Sequence, residues 1–124
     1  MPGELKVLIA DDDRILTSLI AARLKARGWS VDVALDAMQA VMFAIRAQPS
    51  VILLDINMPG GSGFEVLRKL QLSVKTRQIP VVVLSGSHTA EDERRVKELG
   101  VTAFLDKPVD LEVLNETLVR VLSS

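Results

Sequence analysis

Four short apolar runs in this chain each end in polar, reactive residues. Val7-Leu8-Ile9-Ala10 stops at Asp11-Asp12, Val51-Ile52-Leu53-Leu54 at Asp55, Val81-Val82-Val83-Leu84 at Ser85, and Phe104-Leu105 at Asp106-Lys107-Pro108. If these runs are parallel strands, their C-terminal tips converge on one edge of a sheet. That edge then holds the carboxylates of Asp11, Asp12 and Asp55, the Ser85 hydroxyl and the Lys107 ammonium. Such a set can hold a divalent cation and carry a phosphoryl group on one carboxylate.

Helix-period segments lie between the runs. After the first strand, about Leu5 to Ala10, Leu16, Leu19, Ile20 and Leu24 recur at steps of three and four, and Gly28 ends that helix. Val31 and Val33 alternate with polar neighbours in a short second strand. A second helix, about Asp36 to Ala47, places Ala37, Ala40, Val41, Ala44 and Ile45 on one face, and Pro49 blocks its continuation. Helices are also expected around Phe64 to Leu72 and from about Ala90 to Leu99, ending at Gly100. A last helix carries Leu111, Leu114, Leu118 and Val121 on one side.

Strand–helix alternation of this kind implies an α/β fold, a single doubly wound five-stranded parallel sheet with helices on both faces. The first, third and fourth strands are continuously apolar, as strands buried on both faces are, while the alternating second and short fifth suit the edges. The order 2-1-3-4-5, common among doubly wound sheets, meets that demand; composition alone does not select it uniquely. One domain is expected over residues 1–124, with its core at about 5–122. The polar stretch Ser73 to Gln78 is the most linker-like but too short to divide domains.

Net charge is −1 and a quarter of the residues are charged, so nothing marks a nucleic-acid partner. Without cysteine there are no disulfides or thiolate metal sites. The first apolar run is broken by Asp11, too early for a signal peptide or membrane span, and a cytoplasmic protein is the simplest expectation.

Close carboxylates repel, at about 4 kcal/mol for two unit charges about 4 Å apart at an effective dielectric near 20. A hard cation with room for waters, such as magnesium, relieves this. Capping and macrodipole charge are the plain alternative for the Asp11-Asp12-Asp13 run, and they suit Asp13 at the helix start. Asp55 has no helix immediately after it, which favours the metal reading for the other two. Lys107 and Ser85 offer a point charge and a hydrogen bond for a phosphoryl group, and Gly86 leaves its backbone N–H open to an oxyanion.

The segments Ala10-Asp11-Asp12, Leu54-Asp55-Ile56-Asn57-Met58-Pro59-Gly60, Leu84-Ser85-Gly86 and Lys107-Pro108 resemble the receiver domain of bacterial two-component response regulators, a chemotaxis-regulator-like, flavodoxin-like fold. The likeness runs from Lys6 to Leu122. It implies that Asp55 accepts a phosphoryl group from a histidine kinase or phosphotransfer protein. Asp12, Asp55 and the Asn57 backbone carbonyl would bind Mg2+, with Asp11 acting mainly through water. Ser85 and Lys107 would contact the phosphoryl group, as would Asn57 and Gly86. Phe104 would be the rotating aromatic of a switch, moving with Ser85, and the Lys107–Pro108 bond would be cis. Downstream, a protein target or an output domain of its own would read the face formed by the fourth helix, fifth strand and fifth helix.

The chain departs from the family in the turn after the acceptor, where an acidic residue is often found and this chain reads Gly60-Gly61-Ser62-Gly63. Gly63 there still supplies a residue able to take a positive φ. His88 is read as a solvent-facing loop residue, Trp29 as a cover on the core edge, and Glu91 to Glu98 as a solvated helix face.

Other classes fit less well. A flavin-binding electron carrier of this topology needs a hydroxyl- and glycine-rich phosphate loop after the first strand, where this chain has three aspartates. An aspartyl-phosphate phosphatase or phosphotransferase resembles Asp-x-Asp at the nucleophile, and here the second position is Asn57, which cannot transfer a proton. The expectation is therefore a signalling switch that promotes its own modification, not a turnover enzyme.

Overall fold

The computed structural model of the protein describes residues 5–58 and 63–123. Pro59, Gly60, Gly61 and Ser62, including most of the turn singled out above, lie outside the described residues. Strands and helices alternate as β1 (Lys6–Ala10), α1 (Arg14–Ala26), β2 (Ser30–Ala34), α2 (Ala37–Ala47), β3 (Val51–Asp55), α3 (Gly63–Leu72), β4 (Val81–Ser85), α4 (Ala90–Glu98), β5 (Ala103–Asp106) and α5 (Leu111–Ser123). The strands form one parallel sheet in the order β2-β1-β3-β4-β5. The alternating and the short strand do occupy the edges.

Strand period places alternate residues on opposite faces. Leu8, Ala10, Ile52, Leu54, Val81 and Val83 pack with α2, α3 and Val96 of α4. Val7, Ile9, Val51, Leu53, Val82 and Leu84 pack with α1 and α5, where Trp29 closes the margin. Every residue of β3 and β4 is buried.

Local chemistry sets the helix ends. Asp13 and Asp36 cap α1 and α2 by accepting from the N–H groups of Leu16 and Gln39. Thr89 and Asp92 form a reciprocal capping box on α4. Gly28 and Gly100 take φ of +94° and +84° after α1 and α4, and the next residue's N–H returns to the Leu24 and Val96 carbonyls. Helix α2 ends at Ala47 as expected, and Gln48, one residue before Pro49, takes φ of 49° as its cap. Ile45 also leaves the expected core stripe and is exposed, because α2 meets the sheet through Ala37, Ala40 and Ala44.

Gly63 has no positive φ. Glycine is needed there because a Cβ would overlap the backbone of Ile56, whose carbonyl accepts from the Gly63 N–H at 3.3 Å. The polar stretch after α3 is anchored too: Thr76 is buried and donates its hydroxyl to the Leu70 carbonyl at 2.7 Å. Among the described residues, no helix is long and apolar enough to cross a membrane.

Candidate phosphoacceptor site

Asp11 and Asp55 leave the ends of β1 and β3, which pair directly. A last ladder bond from the Asp11 N–H to the Ala34 carbonyl, 3.0 Å, carries β1 past Ala10 and buries Asp11 fully. Its Oδ1 accepts from the Asp13 N–H at 2.9 Å. Asp55 is buried as well, and its Oδ1 accepts from the Asn57 N–H at 2.9 Å. Each carboxylate thus has one oxygen fixed by a backbone amide two residues on, with Oδ2 left to face the cleft.

Lys107 enters between those two free oxygens. Its Nζ lies 2.8 Å from Asp11 Oδ2 and 3.3 Å from Asp55 Oδ2. The ammonium is placed by β5, through the ladder bond from the Lys107 N–H to the Ser85 carbonyl, 2.9 Å, and the Lys107–Pro108 bond is cis as expected. It is not a solvated surface lysine.

Burial pushes the Asp55 carboxyl above the ordinary carboxylate range. The Asn57 N–H works against that shift, nearby Asp11 adds to it, and Lys107 opposes it. Burial works to lower the Lys107 ammonium, but its hydrogen bond and attraction to Asp11, with those to Asp55, outweigh it and raise the group. Both shifts describe a buried site with more negative charge than one ammonium balances.

Asp12 is exposed and brings a third carboxylate: one oxygen from each of Asp11, Asp12 and Asp55 lies within 4.8 Å of the others. All-oxygen donors on the floor of an open cleft of about 480 Å³ fit a hard divalent cation that keeps some of its waters. Asp13, Asn57, Gly86, Ser87 and Lys107 complete the lining.

Ser85 ends β4 and is buried, with its Oγ 3.2 Å from Asn57 Oδ1 and 3.1 Å from the Ser87 carbonyl. Gly86 is exposed, and a Cβ there would meet the Lys107 side chain at 3.7 Å, an ordinary contact. Phe104, on β5, is half-buried against the core that α2, α3 and α4 share.

Residues 7–119 match the response regulator receiver domain family. This chain belongs to the response regulator receiver domains. The receiver is 39 % identical over 105 residues to the response regulator PleD of Caulobacter vibrioides, covering 85 % of this chain and 23 % of PleD, so it spans about a quarter of that relative. Among solved structures it resembles the chemotaxis response regulator CheY4 of Vibrio cholerae, with TM-score 0.89, 31 % identity, 96 % of this chain and 99 % of that one. It also resembles the receiver domain of a sensor histidine kinase of Pseudomonas aeruginosa PAO1, with TM-score 0.89, 25 % identity, 98 % of this chain and 100 % of that one. That structure has a magnesium ion coordinated in its active-site cleft.

One expectation fails in the receiver's β4–α4 loop. His88 does not face solvent: its side chain is 20 % exposed, and its ring meets Phe104 edge-on with centroids 4.6 Å apart. Nε2 lies 3.3 Å from Asp106 Oδ1. A loop histidine and an aromatic 16 positions later carry no local pattern that would join them; only the pairing of β4 with β5 brings them together.

Proposed function

We propose that the receiver is a phosphoryl-accepting switch in which Asp55 takes the phosphoryl group of a phosphohistidine on a histidine kinase or phosphotransfer protein. An Asp55 carboxylate oxygen attacks phosphorus, the new O–P bond forms, and the N–P bond breaks with its electron pair left on the imidazole nitrogen. The reading rests on one observation, the Lys107 ammonium lying within reach of both Asp11 and Asp55 at the mouth of the cleft.

In this reading Lys107 exchanges part of its contact with Asp55 for a phosphoryl oxygen, and Ser85 turns its hydroxyl to another. The Gly86 N–H and Asn57 line the space the phosphoryl group would enter. Asp12, Asp55 and the Asn57 carbonyl would hold a magnesium ion, with Asp11 acting through water while its Oδ2 orients Lys107. When bound, that ion supplies positive charge that offsets the carboxylates and the phosphoryl oxygens. The switch then alters the α4–β5–α5 face, which a downstream protein or a linked output domain reads. No residue of the cleft is assigned to turnover of a free substrate, and Asn57, an amide, cannot serve as a general acid.

Incubation with acetyl phosphate and magnesium should add the mass of one phosphoryl group. Asp55→Asn should abolish that addition; full addition to another residue of the variant would overturn the assignment.

A further inference from the structure

The β4–α4 loop joins the Ser85 hydroxyl to Phe104 through His88. One hydroxyl proton faces two acceptors, Asn57 Oδ1 at 3.2 Å and the Ser87 carbonyl at 3.1 Å. A serine hydroxyl can donate to only one acceptor fully at a time. Turning it toward a phosphoryl oxygen therefore gives up the bond that fixes the Ser87 carbonyl, whose peptide unit leads directly into His88. His88 in turn meets β5 through its ring, packed edge-on against Phe104, while Nε2 lies 3.3 Å from Oδ1 of the exposed Asp106 side chain. Its Nδ1 is buried with no hydrogen-bond partner among the described residues.

We propose that His88 is a positioning residue, a latch that keeps Phe104 and the β5 end in the unmodified arrangement until Ser85 releases the loop. The proposal rests on Asp55 being the acceptor and adds how this chain restrains its own switch. The ring contact carries the coupling: moving Phe104 requires His88 to move, and His88 is tied through Ser87 to the hydroxyl that senses the phosphoryl group. Because the latch contacts belong to the unmodified arrangement, removing them raises the population competent for the phosphoryl group. Apparent affinity rises by the same factor as that population.

The test compares the full chain with His88→Ala and His88→Phe, using beryllofluoride with magnesium as the phosphoryl mimic. Calorimetry reads affinity, and aromatic carbon–proton NMR reads the Phe104 ring. His88→Ala should bind beryllofluoride roughly two- to tenfold more tightly, the factor expected for losing one aromatic contact. Its Phe104 signals without the mimic should move part-way toward the saturated wild-type positions. His88→Phe keeps a ring on Phe104 and should return both readouts most of the way to wild type, which a loss of general stability would not do. Unchanged affinity and unmoved Phe104 signals in His88→Ala overturn the latch while leaving Asp55 as acceptor. So does a His88→Phe that behaves like His88→Ala. A wild-type chain that binds no beryllofluoride overturns the acceptor reading, and the latch falls with it.

Discussion

In β1 the residues from Val7 to Ala10 are buried, and in β3 all from Val51 to Asp55 are, whereas β5 has no fully buried residue from Ala103 to Asp106. Of the helices, α4 matches β5 in this, whereas α5 buries Leu114, Thr117, Leu118 and Val121. Four residues of α1 are buried, Thr17, Ile20, Ala21 and Leu24, but Val96 alone in α4. The part of the sheet that carries β1 and β3 is thus covered on both faces, while the edge formed by α4 and β5 is held mainly by half-buried contacts. Few buried apolar contacts mean a low local opening free energy. The carboxylates Asp11 and Asp55 stand on the rigid half. Lys107 and Phe104 reach the same centre from the loose one. In the proposed switch, charge that arrives on the fixed half can therefore be answered by motion of the other, without unfolding the sheet that holds Asp55.

The largest effect should come from cutting into the rigid half. Leu53 is fully buried between β1, β4 and the α1–α5 layer, and Leu53→Ala should cost about 2–5 kcal/mol in denaturant unfolding. Val96→Ala removes less, two methyl groups at roughly 0.8 kcal/mol each plus a cavity contribution. Hydrogen exchange separates the two. Val96→Ala should speed exchange of α4 amides while β1 and β3 keep their protection; uniform acceleration of all strands would erase the distinction between the halves.

The link between the halves should break next. Reversing a 1:99 population takes about 5.5 kcal/mol of differential affinity, and two charge-assisted contacts at roughly 1.5–3 kcal/mol each come close to that. Ser85→Ala and Lys107→Ala should therefore still bind magnesium but answer beryllofluoride weakly in the amide shifts of Glu91 to Leu99 and Phe104. A full wild-type response in either variant would remove that residue from the linkage.

Much of this contrast was legible in the chain. Continuous apolar runs marked the strands buried on both faces, the alternation of Val31 and Val33 put β2 at an edge, and Asp13 and Gly28 announced the ends of α1. Those signals are local, carried by periodicity and backbone preference within a few residues. The pairing of His88 with Phe104, the burial of Thr76 and the approach of Gly63 to Ile56 depend instead on where distant backbone lies. A histidine in a polar loop has the same local signature whether it faces water or a ring. The convergence of Asp11, Asp12, Asp55, Ser85 and Lys107 was readable because the fold fixes where strand tips go, whatever surrounds them.

Charge at the rigid half gives a pH signature. Burial holds the Asp55 carboxyl above its ordinary range, with Asp11 adding to the effect. A raised carboxyl binds its proton more tightly folded than unfolded, so stability falls as pH rises from its unfolded value through its raised folded value. Above that window the whole penalty is present. Asparagine does not ionise, so in chelator Asp55→Asn should be more stable than wild type at neutral pH. The gap should close as pH falls through the same window. Urea midpoints from neutral to acid pH read it, and a gap of constant size would mean that Asp55 ionisation is not its source.

The smallest effect belongs to the end of the loose half. Helix α4 has Val96 as its single buried residue, so its first turn leans on the Thr89–Asp92 capping box, with N···O distances of 3.1 Å in both directions. Removing a threonine cap costs about 1 kcal/mol. In a tightly packed helix that loss would appear as global stability. In α4, Thr89→Ala should instead appear as fraying: faster amide exchange at Asp92 and Glu93, with the unfolding midpoint nearly unchanged. Cap loss next to His88 also loosens the loop that moves with Ser85 in the proposed switch, so beryllofluoride binding should tighten slightly or hold steady. Weaker binding in Thr89→Ala would mean that an ordered start of α4 belongs to the modified arrangement, and that the loose edge tightens when the switch is thrown.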